Sequence, residues 1–239
     1  GNQEAILTKA HEMMEEKRIA QLTLLNQLRD MDPHIASLIF RTAGGQPKFI
    51  YLIRTAPISL LDHLCQAIQK QQEDFVCEHL LGIKGTSITP VLSLWLSLPL
   101  GRGGFGIKAR QEDFALAWIA SVAQSIATLR NHQEFPLSQI AIQQADEFRT
   151  LYQQITTIYL KALRPQQRDK IEEQISWNAM VHAPIGETVT QKKLQHFLDE
   201  SRLHDLRDLL SNQQYPLKVL DAQQKQGSAA WLTLTGVIH

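Results

Sequence analysis

Helical periodicity runs through nearly every segment of this chain and constrains its fold more than any other feature. The strongest example is residues 138–163, in which apolar side chains recur at i, i+3, i+4 and i+7; they are Phe148, Leu151, Tyr152, Ile155, Ile158, Tyr159 and Ala162. Alternating β-branched runs joined by hairpin dipeptides are absent from the sequence. The sequence therefore predicts an all-α, multi-helix bundle with no central sheet.

Breaks in this periodicity separate the predicted helices. Asp32-Pro33 and Gly82 end helical stretches, Pro57 and Pro165 suit first helical turns, and 182–187 is typical of a turn. We expect one helical domain over residues 1–239, in which 1–107 and 108–239 are candidate parts. The predicted helices cover 3–29, 35–40, 57–81, 88–98, 111–130, 138–163, 166–180 and 190–211 (one or two short helices), with a short final element around Trp231.

The composition is that of a globular protein with balanced charge. Hydrophobic residues make up 44% of the chain, and 24 basic residues offset 24 acidic ones, which argues against a dedicated nucleic-acid coat. Cys65 and Cys77 would lie roughly 18 Å apart on a straight helix, beyond disulfide reach, which favours reduced thiols and an intracellular protein. No run of about 20 apolar residues predicts a membrane span. Because the first residue is Gly1, we expect the sequence to be part of a longer protein.

A glycine-rich run, Gly101-Arg-Gly-Gly-Phe-Gly106, lies between two apolar segments. It matches the G-x-G-x-x-G pattern of dinucleotide-binding turns, which requires a preceding strand within a βαβ unit. No such unit can be recognised here. The sequence therefore predicts a structural turn between packed helices, with at least one glycine at positive φ, and no specific binding of NAD(P) or ATP. Its glycines are Gly101, Gly103, Gly104 and Gly106.

Histidine, cysteine and acidic residues form two patterns that could suggest a metal site. The pairs His63/Cys65 and Cys77/His79 resemble a zinc ligand set, but residues two apart on a helix point about 200° apart and cannot converge. His196, Glu200 and His204 would share one face of a helix whose other face is leucine-rich. We interpret this row, together with Asp199, as a solvated face, and we expect no bound zinc and no cofactor.

Three small basic groups near predicted turns are the candidates for phosphate contacts. They are Arg41, Lys48 and Arg54; Arg102, Lys108 and Arg110; and Arg164, Arg168 and Lys170. The tryptophans are spread along the chain, which favours core anchors over a base-stacking platform. With no net charge, we expect nucleic-acid binding to be weak.

Several short motifs carry a family resemblance. The segment 98–107 is similar to a Gly-Gly-Leu-Gly-(Ile/Leu) turn with Phe105 in the leucine position, and 115–121 looks like the alanine-rich helix that follows it. Upstream, 46–57 is similar to a Pro-Arg-x-x-(Tyr/His)-Leu-x-Arg-Thr-x-Pro segment, and 227–232 looks like Gly-Ala-Trp-Leu. In this order the motifs resemble the region that follows the polymerase core in non-LTR retroelement reverse transcriptases.

The resemblance implies thumb-like helices over 1–107 and a helical C-terminal part, without the catalyst. The family's Tyr/Phe-x-Asp-Asp metal motif is absent from the sequence, so polymerase activity is not implied. We expect a non-enzymatic helical interaction module, retroelement-derived or similar, that presents a surface to a macromolecular partner, most simply a protein. One alternative is a thumb-like RNA- or DNA-binding domain. A second is an enzyme whose site is assembled from scattered residues.

Overall fold

The structure is a computed structural model that describes residues 2–44, 49, 54, 62–83, 88–131, 146–184, 186–212, 218 and 220–222. These residues form helices, turns and short connections, and none of them is in a β-strand, which confirms the all-α prediction. The α-helices are α1 (Asn2–Leu28), α2 (Pro33–Ile39), α3 (Asp62–Phe75), α4 (Pro90–Ser97), α5 (Gln111–Asn131), α6 (Asp146–Lys161), α7 (Pro165–Ile171), α8 (Trp177–His182) and α9 (Gln191–Leu210).

Three predicted helical segments differ from the structure. The segment 190–211, predicted as one or two short helices, is the single 20-residue helix α9. The helix predicted over 57–81 is α3 followed by a five-residue π-helical turn, Val76–Leu80; a second π-helical turn, Phe40–Gly44, follows α2. The helix predicted over 166–180 is wrong, because the chain turns between α7 and α8. Ser176 has extended backbone with ψ 150°, and its hydroxyl accepts a hydrogen bond from the Ala179 N–H at 3.1 Å. This N-cap starts a new helix.

Several predicted features lie outside the described residues. They are Lys48, Trp231, the ends 57–61 and 138–145 of two predicted helices, and most or all of the motifs at 46–57 and 227–232. Among the described helices, none is both long and apolar enough to cross a membrane.

The chain divides into two compact units, each built from three separate stretches. Unit 1 comprises 1–11, 50–62 and 110–201, and unit 2 comprises 12–49, 63–109 and 202–239. Both units therefore contain residues from each half of the sequence. A single domain with parts at 1–107 and 108–239 stays a prediction.

The core of unit 1 is built on α5, against which α6 and α8 pack. Four aromatic rings, those of Trp118, Phe148, Tyr152 and Trp177, contact one another with centroids 5.6 to 6.1 Å apart. Tyr152, Ile155 and Tyr159 are buried as the periodicity of α6 predicts, whereas Phe148 remains 38% exposed. The core thus follows the predicted helical stripe.

Two buried hydroxyls fix the position of α6. Tyr152 donates to the carbonyl oxygen of Ile175 at 2.8 Å, and Tyr159 donates to that of Leu194 at 2.8 Å. Burial raises the pKa of both phenols, so each stays protonated and keeps its donor. Each bond therefore links α6 to a specific backbone atom of the following segments.

Unit 2 contains a leucine cluster and an aromatic contact. Val91, Leu94 and Trp95 of α4 pack against buried leucines, which are Leu98, Leu203, Leu206, Leu210 and Leu220. Elsewhere in the unit α2 contacts the turn Val76–Leu80, and the rings of Phe40 and Phe75 lie 5.3 Å apart. Both π-helical turns therefore begin beside a buried aromatic pair.

Candidate functional site

The glycine-rich turn follows α4 in unit 2, and three of its glycines have a steric reason. Gly103 and Gly106 have φ of 77° and 71°, a left-handed backbone that side chains rarely adopt, so the predicted positive φ is confirmed. A Cβ on Gly104 would overlap the carbonyl oxygen of Leu98, whereas one on Gly101 would meet open space. Gly101 is thus replaceable, a distinction that the sequence pattern does not reveal.

Backbone amides of this turn donate to carbonyl oxygens of the last residues of α4 and of the residues that follow it. Gly104 donates to Pro99 at 3.2 Å, Gly106 to Leu98 at 2.9 Å, and Phe105 and Ile107 both donate to the oxygen of Leu96. The Trp95 indole also donates to the oxygen of Gly103 at 3.0 Å. A phosphate-binding loop needs amides aimed at the ligand and a preceding strand. Here the amides are already paired and a helix precedes the turn, which is the geometry of a structural joint.

Two of the three basic groups predicted from turn positions have members in both units. Arg41 belongs to unit 2 and Arg54 to unit 1, while Lys48 lies outside the described residues. Arg102 and Lys108 belong to unit 2, and Arg110 belongs to unit 1. Arg164, Arg168 and Lys170 lie together in unit 1. Phosphate binding by these groups stays a prediction.

Two of these arginines donate hydrogen bonds to backbone carbonyl oxygens. The Arg168 guanidinium donates to the oxygens of Leu160 and Leu163 at 3.1 and 3.3 Å, at the C-terminal end of α6, where a cation also favours the helix dipole. Arg41 donates to the Ser37 oxygen at 3.3 Å, and burial lowers the pKa of its guanidinium. These contacts give both side chains structural roles.

The histidine and cysteine pairs do not form a ligand set. His63 is exposed while Cys65 is buried on the same helix, and the His79 ring packs against Phe75 with centroids 5.4 Å apart. Cys65 and Cys77 are free, buried thiols. Burial and the nearby carboxylates, Glu73 first among them, raise the pKa of Cys77 to about 11, which suppresses the thiolate that a metal would need. The described residues contain no cluster of three or more His, Cys, Asp or Glu able to hold a metal ion.

Four residues of α9 were predicted to lie on a solvated face, and one of them is buried. His196 is exposed and Glu200 and His204 are half-buried, but Asp199 is only 8% exposed. The interpretation of Asp199 as solvated was wrong because buried positions cover more of α9 than a single leucine stripe, with Ser201 and Arg202 also buried. The Asp199 carboxylate accepts a hydrogen bond from Gln195 Nε2 at 2.9 Å.

A second buried carboxylate joins this arrangement in unit 1. Asp113 is fully buried; its Oδ2 accepts from the Arg110 N–H at 3.2 Å, and its Oδ1 lies 3.5 Å from Gln195 Nε2. An acid in the first turn of α5 satisfies a backbone donor there and favours the positive end of the helix dipole. These bonds account for the carboxylate as a helix-start contact. The position of Asp113 at the start of a predicted helix was the available sequence signal.

A pocket of about 550 Å³ opens in unit 1. One face of α5 forms one wall, and the turn after α8 and the first residues of α9 form the other. Arg54 borders the pocket and donates a hydrogen bond to Gln191 Oε1. The described lining residues are Arg54, Ala120, Ser121, Gln124, Ala127, Thr128, Gly186, Thr188, Val189, Thr190, Gln191 and Lys192. Of these residues, Arg54 was predicted from the sequence as a possible phosphate contact, and the others were not.

Large exposed apolar side chains are concentrated in unit 2. Of the eight found among the described residues, Leu129 and Phe148 belong to unit 1 and six belong to unit 2. We call these six the apolar set of unit 2: Ile19, Leu22, Met31, Ile35, Leu81 and Leu209. Ile19 is 52% exposed.

Comparison of the chain with protein-family models, with curated proteins and with solved structures found no match.

Proposed function

We propose that this protein is a non-enzymatic helical interaction module that presents unit 2 to a partner protein. The observation that carries the proposal is the apolar set of unit 2, six of the eight large exposed apolar side chains among the described residues. Single exposed apolar residues are normal on protein surfaces, but their accumulation marks interaction sites. The resemblance to a retroelement post-polymerase region is compatible with such a module and forms part of the proposal.

The positions of these residues suit a protein interface. Ile19 and Leu22 are one helical turn apart on α1 and so share a face. Ile35 lies on α2, and Leu81 ends the π-helical turn that α2 contacts. Exposed and half-exposed ion pairs, Glu15–Arg18 and Arg29–Glu78, are close in sequence to these residues. Charged side chains near exposed apolar ones are common at the edges of protein interfaces.

The alternatives have less support from the described residues. A nucleic-acid-binding thumb needs basic side chains that reach phosphates, and Arg41 and Arg168 contact backbone carbonyls instead. An enzyme needs reactive groups that converge at an accessible cavity. The Asp113 and Asp199 carboxylates are buried and serve internal hydrogen bonds.

A site-specific photo-cross-linking experiment tests the proposal. A photoreactive amino acid replaces Asn26, which is exposed on α1 one turn after Leu22; the matched control replaces Gln153, exposed on α6 of unit 1. In nuclease-treated cell extract we expect a discrete protein adduct from position 26 and not from position 153. The adduct's protein is then purified, and its affinity for the unmodified chain is measured by calorimetry.

Substitutions decide whether the apolar set holds the partner. Ile19→Glu with Leu22→Glu should weaken the purified partner's binding at least about tenfold, because two apolar contacts are lost and two charges must be desolvated. Leu129→Glu, a comparable change in unit 1, should leave the affinity nearly unchanged. Equal binding by wild type and by the α1 double variant would refute the proposal. An interaction lost on nuclease treatment would instead favour the nucleic-acid-binding alternative.

A further inference from the structure

We infer that the pocket of unit 1 binds a small phosphorylated ligand. The inference is independent of the partner-protein proposal, because it concerns the other unit and different residues. The pocket's volume of about 550 Å³ lies within the range of about 300–1,000 Å³ that is typical of small-molecule sites. It is therefore large enough for a phosphate group together with a compact organic body.

The charge of the lining selects the class of ligand. Among the described lining residues, the two that carry a full charge are cations, Arg54 and Lys192, and none is Asp or Glu. A metal cation would find no carboxylate ligand on these residues, whereas an anion would meet two charged donors. The lining therefore favours an anion.

Arg54 is held in place at the pocket's edge. Its Nη2 donates to the Gln191 side-chain oxygen, and Gln191 is the first residue of α9. A guanidinium has five donors arranged as a planar fork, so this bond positions the group while the geometry of the fork suits phosphate oxygens. An arginine positioned before the ligand arrives loses less entropy on binding.

The remaining lining residues are of two kinds: hydrogen-bond donors, and small apolar side chains that form a floor. Ser121, Gln124 and Thr188 add hydroxyl and amide donors, and α9 begins here with the positive end of its dipole. Ala120, Ala127 and Val189 are nearly fully buried and form an apolar floor. Ala120, Ser121 and Ala127 lie on the face of α5 that lines the pocket, and their small side chains leave room for the body of the ligand.

Titration followed by NMR tests the inference with four probes: inorganic phosphate, glycerol 3-phosphate, glycerol and a short single-stranded RNA. We expect glycerol 3-phosphate to shift the amide signals of Ser121, Thr188 and Lys192 saturably at up to millimolar concentration. Glycerol should not shift them, since it lacks the anion. Phosphate alone should shift the same signals more weakly because it leaves the apolar floor unfilled.

Two adjacent lysines provide a matched pair of variants. Lys192 lines the pocket, whereas the Lys193 ammonium donates to Gln174 Oε1. Lys192→Gln should weaken glycerol 3-phosphate about tenfold, the value of one charge-assisted hydrogen bond. Lys193→Gln removes the same charge from the same helical turn and should change the affinity less than about twofold, because its ammonium points about 100° away around the helix and is held by Gln174. Arg54→Gln should weaken binding at least as much as Lys192→Gln.

Three outcomes would overturn the inference. In the first, no probe shifts the three pocket signals in the wild-type protein. In the second, Lys192→Gln and Lys193→Gln weaken binding equally, which would indicate nonspecific attraction of anions. In the third, RNA shifts the signals and glycerol 3-phosphate does not, which would assign the pocket to a nucleic-acid backbone.

Discussion

Two buried tyrosines of unit 1 and a buried glutamine of unit 2 differ in whether their polar atoms are paired. In unit 1 the hydroxyls of Tyr152 and Tyr159 each reach a backbone oxygen at 2.8 Å, and buried Asp113 accepts a backbone hydrogen bond. In unit 2 Gln72 is fully buried, and the described structure pairs neither its amide oxygen nor its nitrogen. An unpaired buried amide costs free energy, whereas a paired hydroxyl adds both stability and a defined register. The comparison indicates that the two tyrosine hydroxyls help to position α6 in unit 1, whereas the Gln72 amide makes no such contribution in unit 2.

The greatest loss of stability is expected from a substitution in the glycine-rich turn of unit 2. Gly104→Ala places a methyl group against the Leu98 carbonyl and should lower the free energy of unfolding by about 2–4 kcal/mol. Denaturant titration measures the loss, and hydrogen exchange should show faster exchange of the Ile107 amide, which bonds across the turn to Leu96. The matched control Gly101→Ala should stay within about 0.5 kcal/mol. Equal stability of the two variants would contradict this account of the turn.

A smaller loss is expected where unit 1 depends on its polar bonds. Tyr159→Phe removes the donor to Leu194 and keeps the ring, so the free energy of unfolding should fall by about 1–1.5 kcal/mol. Tyr152→Phe should behave similarly because its bond to Ile175 has the same length. Both values come from denaturant titration. If both variants were as stable as wild type, the two hydrogen bonds would not stabilise the position of α6.

A gain in stability is expected at Gln72 in unit 2. Gln72→Leu replaces an unpaired amide with an apolar group of similar size and should raise the free energy of unfolding by about 1 kcal/mol. Gln195→Leu in unit 1 is the contrast, since Gln195 donates to Asp199 at 2.9 Å, and it should destabilise. Stabilisation by Gln72→Leu together with destabilisation by Gln195→Leu would support this difference between the two amides, and changes of the same sign would contradict it.

A pH dependence of stability is expected from Cys77. Its pKa is raised from 9.0 to about 11 by burial and nearby carboxylates, so folding favours the neutral thiol. The resulting stability is fully present below pH 9 and is lost as pH rises through about 11. Cys77→Ala should therefore show a shallower decline of Tm between these pH values than wild type does. Parallel declines would exclude a contribution from this thiol.

The fold class was predictable because packing against a core imposes a helical stripe that is visible in the sequence. Tyr152, Ile155 and Tyr159 are buried as their spacing predicts. The break between α7 and α8 was missed because the sequence does not show that the hydroxyl of Ser176 caps a helix. The π-helical turns leave no comparable mark, since their apolar residues are compatible with an α-helix.

The candidate sites were less predictable because they depend on contacts between distant segments. The pocket joins Arg54, a face of α5 and the start of α9, and no local pattern connects these three places. Burial of Asp199 likewise depends on how many neighbours surround α9, whereas periodicity can assign only one buried stripe. Arg168 was selected for its charge, but its role follows from where α6 ends.

The division of each unit into three stretches has a consequence for how this region can be inherited. Unit 1 needs residues near the N-terminus together with 110–201, and unit 2 needs 63–109 together with 202–239. No single recombination breakpoint can transfer one unit intact and leave the other behind. A breakpoint between 107 and 108 divides both. Gene rearrangement should therefore carry the two units as one heritable block.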